Sequence, residues 1–154
     1  MPHVGERAPL PGDQAPDDDD ARATAETQAA IAAVDADVDR LLGEHPPEIQ
    51  AIERTLRTTI RSIVPDAVEQ VDFGNKLIAF GRSMRMKGLL FAIIAHQSWV
   101  KLQLADGVDL PDPDGLVEGT GKRIRHVKVR SVEQASSAPV VRLIEAQLAA
   151  RPEG

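Results

Sequence analysis

Leu89-Leu90-Phe91-Ala92-Ile93-Ile94-Ala95-His96-Gln97-Ser98-Trp99-Val100-Lys101-Leu102-Gln103-Leu104 is the stretch on which the fold turns. Its first seven residues form an unbroken apolar run, the pattern of a central strand covered on one face and at least partly on the other. Val100, Leu102 and Leu104 then alternate with Trp99, Lys101 and Gln103. That period of two marks a half-buried strand, because successive strand side chains point to opposite faces. His96-Gln97-Ser98 reads as the turn between the two strands.

Working toward the amino terminus, Val71 and Phe73 alternate with Gln70 and Asp72. Phe73-Gly74-Asn75-Lys76 supplies turn chemistry ahead of the apolar run Leu77 to Phe80, so this segment reads as a hairpin. Pro65 ends the helix before it. Over Pro47 to Val64, the residues Ile49, Ile52, Leu56, Ile60 and Ile63 fall within one arc at 3.6-residue spacing. Leu56, at the centre of that arc, is expected to be buried between helix and sheet. Arg54, Arg57 and Arg61 make a second stripe, either an anion-binding face or, more commonly, a solvated edge whose aliphatic stems cover the core. An earlier helix starts at Ala23, with Ile31, Val34, Val38 and Leu41 as its apolar stripe and Asp35, Asp37 and Asp39 mainly off it. Gly43 and Pro46-Pro47 end it.

On the carboxyl side, Asp106 to Gly121 is loop by composition, with turn signals at Asp106-Gly107, Pro111, Pro113, Asp114-Gly115, Gly119 and Gly121. Ile124 to Arg130 returns to strand. Ser131 and Gln134 have capping-box spacing ahead of a helix carrying Val140, Leu143, Ile144 and Leu148. Two helices, about five strands on short turns and a closing helix predict an α+β fold: an antiparallel sheet with helices packed on one face, in a single domain over 23–150.

Residues 1–22 are rich in Pro, Gly and Asp, lack an apolar period, and read as a disordered acidic tail. Six carboxylates against two arginines place four of the chain's six net negative charges there. The near-neutral remainder carries no basic excess of the kind nucleic-acid binders use, so a nucleic-acid partner is not expected. No stretch approaches the ~18 apolar residues of a membrane helix. The first ten residues do not resemble an export signal, and a cytoplasmic location is expected. Absence of cysteine excludes disulfides, thiolate metal sites and cysteine nucleophiles.

Few residues point to chemistry. Gly115 to Lys122 resembles a phosphate loop, but Leu116 stands where the first glycine is required and Arg123 where Ser or Thr is required. Gly119, Gly121, Lys122 and Arg123 remain candidates for cradling an anion with backbone N–H groups and two cations, although a structural loop is the commoner meaning. Asp109, Asp112, Asp114 and Glu118 do not take calcium-loop register. His96 and His126 lack metal-site spacing and read as hydrogen-bonded turn and strand histidines. Lys122, Arg123, Arg125, Lys128 and Arg130 are divided between two faces by strand alternation.

The segment Asp112-Pro113-Asp114-Gly115-Leu116-Val117-Glu118-Gly119-Thr120-Gly121-Lys122-Arg123-Ile124-Arg125-His126-Val127 resembles the YdhG-like family, bacterial domains of mostly unknown function. The order of elements from Ile31 to Arg130 is similar as well. The resemblance implies a compact α+β fold close in outline to frataxin. Because at least one family member is regarded as an iron chaperone, it also implies weak iron carriage, which needs exposed carboxylates. Asp35, Asp37 and Asp39 are the candidates, although no family motif falls on them. The expected function is a non-enzymatic binding module for a small ligand, a metal ion such as iron, or a protein partner. The alternative is an anion- or phosphometabolite-binding enzyme using Gly119 to His126. No cofactor is firmly implied.

Overall fold

The computed structural model describes residues 18–152, so most of the acidic segment read as a tail lies outside the described residues. The chain divides into two compact units, residues 1–33 and 34–154. Helix α1, Asp18–Leu42, begins five residues before Ala23, inside the stretch read as tail. Acidic residues favour a helix amino terminus because they oppose the positive end of its dipole, so the Asp run is compatible with helix there. Within residues 1–33 the described helix from residue 21 is exposed throughout, and Ile31 is 44% exposed rather than part of a buried stripe.

In the unit from Val34 onward, the end of α1 buries Val38, Leu41 and Leu42. Helix α2, Pro47–Ile63, follows, with proline in its first turn where no N–H partner is needed. Its arc behaves as its spacing predicts: Ile49, Ile52, Leu56 and Ile60 are buried, Leu56 completely, while Ile63 at the end is partly buried. Thr59, beside Ile60, donates its hydroxyl to the carbonyls of Thr55 and Ala135 and so ties α2 to the chain after the sheet.

Six strands form one antiparallel sheet: β1 Val68–Asp72, β2 Leu77–Gly81, β3 Leu89–Ala95, β4 Val100–Leu104, β5 Val117–Glu118 and β6 Arg125–Val129. Their order is β1-β2-β3-β4-β6-β5. The sheet is one strand larger than the five expected, because β5 is a two-residue strand within the segment read as loop and pairs with β6 through Val117 and Val127. Two residues carry too little alternation to register as a strand in sequence. Short helices α3, Val132–Ala135, and α4, Ala138–Ala150, complete the unit; the Ser131 side chain accepts from Gln134 N–H at the start of α3, as its capping-box spacing predicts.

Register divides the two faces. Val71, Ile78, Ile93, Leu102, Val127 and Val117 lie directly opposite one another from β1 to β5 and form a continuous apolar row. That row joins the core shared with α2 and α4. The row beside it, Gln70, Ala79, Ala92, Gln103, His126 and Glu118, belongs to the other face. A bulge between Phe80 and Gly81 shifts the β2–β3 pairing, so Leu90 is the extra residue. Among the described residues no helix is long and apolar enough to cross a membrane.

Candidate functional site

The second face of the sheet carries a cavity of about 620 Å³. Its depth originates in residue size. Ala79 and Ala92 are paired across β2 and β3 in the middle of the row, where neither side chain extends beyond a methyl group. Larger apolar side chains rise around them: Leu77 from β2, Met84 from the β2–β3 connection, Leu89 from the start of β3, and Ile124 from the approach to β6. Gln70 and Asp72 line the β1 end, and Gln103 reaches the floor from β4. Arg123 and Arg151 line the opposite end.

Those two arginines belong to a polar cluster centred on Asp106, which follows β4 and is 3% exposed. Arg123 donates through Nη2 to Asp106 Oδ1. Arg151 donates through Nε to Oδ2 at 2.8 Å and through Nη2 to Oδ1 at 3.2 Å. Gln147, completely buried on α4, donates through Nε2 to Oδ2 at 2.8 Å, while its carbonyl oxygen accepts from the Asp106 backbone N–H at 2.7 Å. Burial raises the Asp106 pKa, but the hydrogen bonds from Arg123, Gln147 and Arg151 together outweigh it and hold the carboxyl at about 2. Arg151 also donates through Nη1 to the carbonyls of Lys87 and Leu89, and its own carbonyl accepts from Arg82 Nε. The cluster therefore joins β4, the β2–β3 connection, the loop before β6 and the end of α4 at one wall of the cavity.

The proposed anion segment is dispersed by this arrangement. Arg123 turns to Asp106, Lys122 is exposed and is not part of the cavity wall, and Arg125 donates through Nε to the Gly121 carbonyl at 2.7 Å. Gly119 has φ 120, a backbone region that L side chains rarely adopt. A Cβ on Gly121 would lie 2.7 Å from the Ile124 carbonyl oxygen. Both glycines thus shape the loop that delivers Arg123 and Ile124 to the cavity. Asp112 shapes its other end, accepting from the backbone N–H groups of Leu116 and Val117 at 2.8 and 2.9 Å.

The iron candidates face arginines. Asp35 Oδ1 lies 2.5 Å from Arg57 Nη2 and 3.7 Å from Arg61, Asp39 Oδ1 lies 3.0 Å from Arg54, and Asp37 Oδ1 lies 3.7 Å from Arg40. The Arg stripe of α2 is therefore the counterpart of the Asp positions of α1, with Glu69 of β1 as a further partner of Arg57 at 2.5 Å. Among the described residues no group of three or more His, Asp or Glu is arranged to hold a metal ion.

His96 and His126 flank Trp99. The His96 and Trp99 rings stack at 4.1 Å and 9°, the Trp99 and His126 rings at 6.3 Å and 17°, and Lys128 Nζ lies 5.0 Å from the Trp99 ring centre. Burial and the nearby Lys101 charge lower both histidine pKa values. The histidines thus extend an aromatic surface next to Gln103, the cross-strand partner of His126.

Neither the Asp106 cluster nor the paired alanines stood out in the sequence. Asp106 registered only as a turn residue. Its role depends on Arg123, Gln147 and Arg151, up to 45 positions away. No family model, curated protein or solved structure matches the chain.

Proposed function

We propose that this chain is a cytoplasmic, non-enzymatic binding module that holds a small organic ligand on the second face of its sheet. The observation carrying this reading is the cavity of about 620 Å³ over Ala79 and Ala92, within the usual size range of small-molecule sites. An apolar floor interrupted by a few polar groups at defined points is the composition such sites use to combine affinity with orientation. The arginines, aspartate and glutamines around the cavity suit recognition, and the arginines, always cationic, are poor proton-transfer groups. Iron carriage by Asp35, Asp37 and Asp39 has less support, since a cation there would compete with Arg57, Arg40 and Arg54.

The test is to fill the floor. Ala92→Phe places a ring in the row that lines the cavity, beside Ala79. A thermal-shift screen of small amphipathic compounds should yield hits on the wild-type protein that disappear in a folded Ala92→Phe variant. Hits that persist unchanged in that variant would place the ligand elsewhere.

A further inference from the structure

Strand register sets a glutamine on either side of the alanine floor. Gln70 of β1 lies opposite Ala79, Ala79 opposite Ala92, and Ala92 opposite Gln103 of β4, so four neighbouring strands contribute one row, and all four residues line the cavity. Directly paired residues share a face of the sheet, so both amides rise from the side on which the cavity lies. Gln70 is exposed and Gln103 half-buried, and neither side chain makes a hydrogen bond among the described residues. The charged side chains of the wall are already engaged. Arg151 has Nε and Nη2 on Asp106 and Nη1 on backbone carbonyls, Arg123 donates to Asp106, and both Asp72 oxygens accept from Asn75. Among the described residues the two amides are therefore the polar side chains of the wall without a partner in the protein.

We propose that the ligand is an elongated, uncharged molecule with a hydroxyl- or amide-type group at each end, one end on Gln70, the other on Gln103, and its apolar middle over Ala79 and Ala92. This assignment rests on the cavity being the ligand site and specifies what the cavity selects. A primary amide presents an acceptor oxygen and two N–H donors without charge, which complements end groups that both donate and accept. An ionised end group gains less, because an amide does not neutralise it and its desolvation over alanine methyls is costly. From Gln70 to Gln103 the row crosses three interstrand spacings of ~4.8 Å, or ~14 Å, about the extended length of decane-1,10-diol. Leu77, Met84 and Ile124, which line the cavity beside the floor, give the middle of such a molecule its apolar contacts.

Calorimetric titration with decane-1,10-diol, decan-1-ol, decanedioate and decane-1,10-diamine tests the assignment. The diol should bind about fivefold or more tightly than the mono-alcohol, the scale of one neutral hydrogen bond. Apolar burial alone gives the opposite order, since the second hydroxyl would lose its water without gaining a partner. Gln70→Leu and Gln103→Leu should each cancel the advantage of the diol while leaving the mono-alcohol its remaining amide. Both variants should melt like the wild type, because neither amide is bonded within the fold. A diol that binds no more tightly than the mono-alcohol overturns the assignment, as does tighter binding of the diacid or the diamine. Persistence of the diol advantage in either variant also overturns it. In those outcomes the cavity reading still stands if Ala92→Phe weakens binding. If none of the four binds, or if Ala92→Phe leaves all four affinities unchanged, the cavity reading itself falls and the end-group assignment falls with it.

Discussion

Asp106 shows how much one residue can depend on distant partners. Its carboxylate is buried and ionised because Arg123, Gln147 and Arg151 converge on it. Removing it leaves the largely buried Arg151 guanidinium and the fully buried Gln147 amide without their shared acceptor, so Asp106→Ala should cost about 3 kcal/mol, measured by urea unfolding. A depressed carboxylate pKa contributes stability at pH values above that of the unfolded chain. With the folded value at about 2 against 3.8 for the free side chain, the contribution is complete above about pH 4 and is lost as pH falls through 2. The loss amounts to roughly 2 kcal/mol. Asp106→Asn should flatten the acid limb of the stability profile, and an unchanged limb would contradict the network. In the neighbouring loop the glycines and the lysine separate cleanly. Gly121→Val requires the Ile124 carbonyl to move and should lower the melting temperature by several degrees, whereas Lys122→Ala, at an exposed position, should stay within about 0.5 kcal/mol of wild type.

At the scale of elements, the charged faces of α1 and α2 are complementary. Arg57 is the central tie: its side chain is 15% exposed, and it bonds Asp35 on α1 and Glu69 on β1. Arg57→Ala should cost about 2 kcal/mol in equilibrium unfolding, because it leaves the 9%-exposed Glu69 without its closest cation. Arg54, which pairs with Asp39 at the surface, should tolerate alanine with a change below about 0.5 kcal/mol. Equal costs for the two substitutions would refute this ranking. The Asp and Arg stripes were both legible in sequence, since each follows helical spacing. Their pairing was not, because periodicity reports which face a residue occupies and nothing about which helix lies opposite.

For the molecule as a whole, every buried core residue among the described residues lies from Val38 onward. A chain lacking residues 1–22 should therefore retain its far-ultraviolet spectrum apart from the lost start of α1. Its unfolding free energy should stay within about 0.5 kcal/mol of the full-length value; a larger fall would assign the segment a stabilising role. The class of fold was legible in the order of residues, since five of the six strands, the ends of α2 and its buried arc follow from apolar periodicity and from proline and glycine positions, all properties of consecutive residues. It also marked Gly119 to His126 as distinctive without revealing what the segment does. Folding in three dimensions brings Arg123 away from Lys122 to Asp106, pairs Ala79 with Ala92 beneath a cavity, and puts both at the same cavity. The physical reason is that secondary structure is dictated largely by short-range spacing, whereas a cavity and a buried charge cluster depend on strand register and on contacts between residues far apart in the chain.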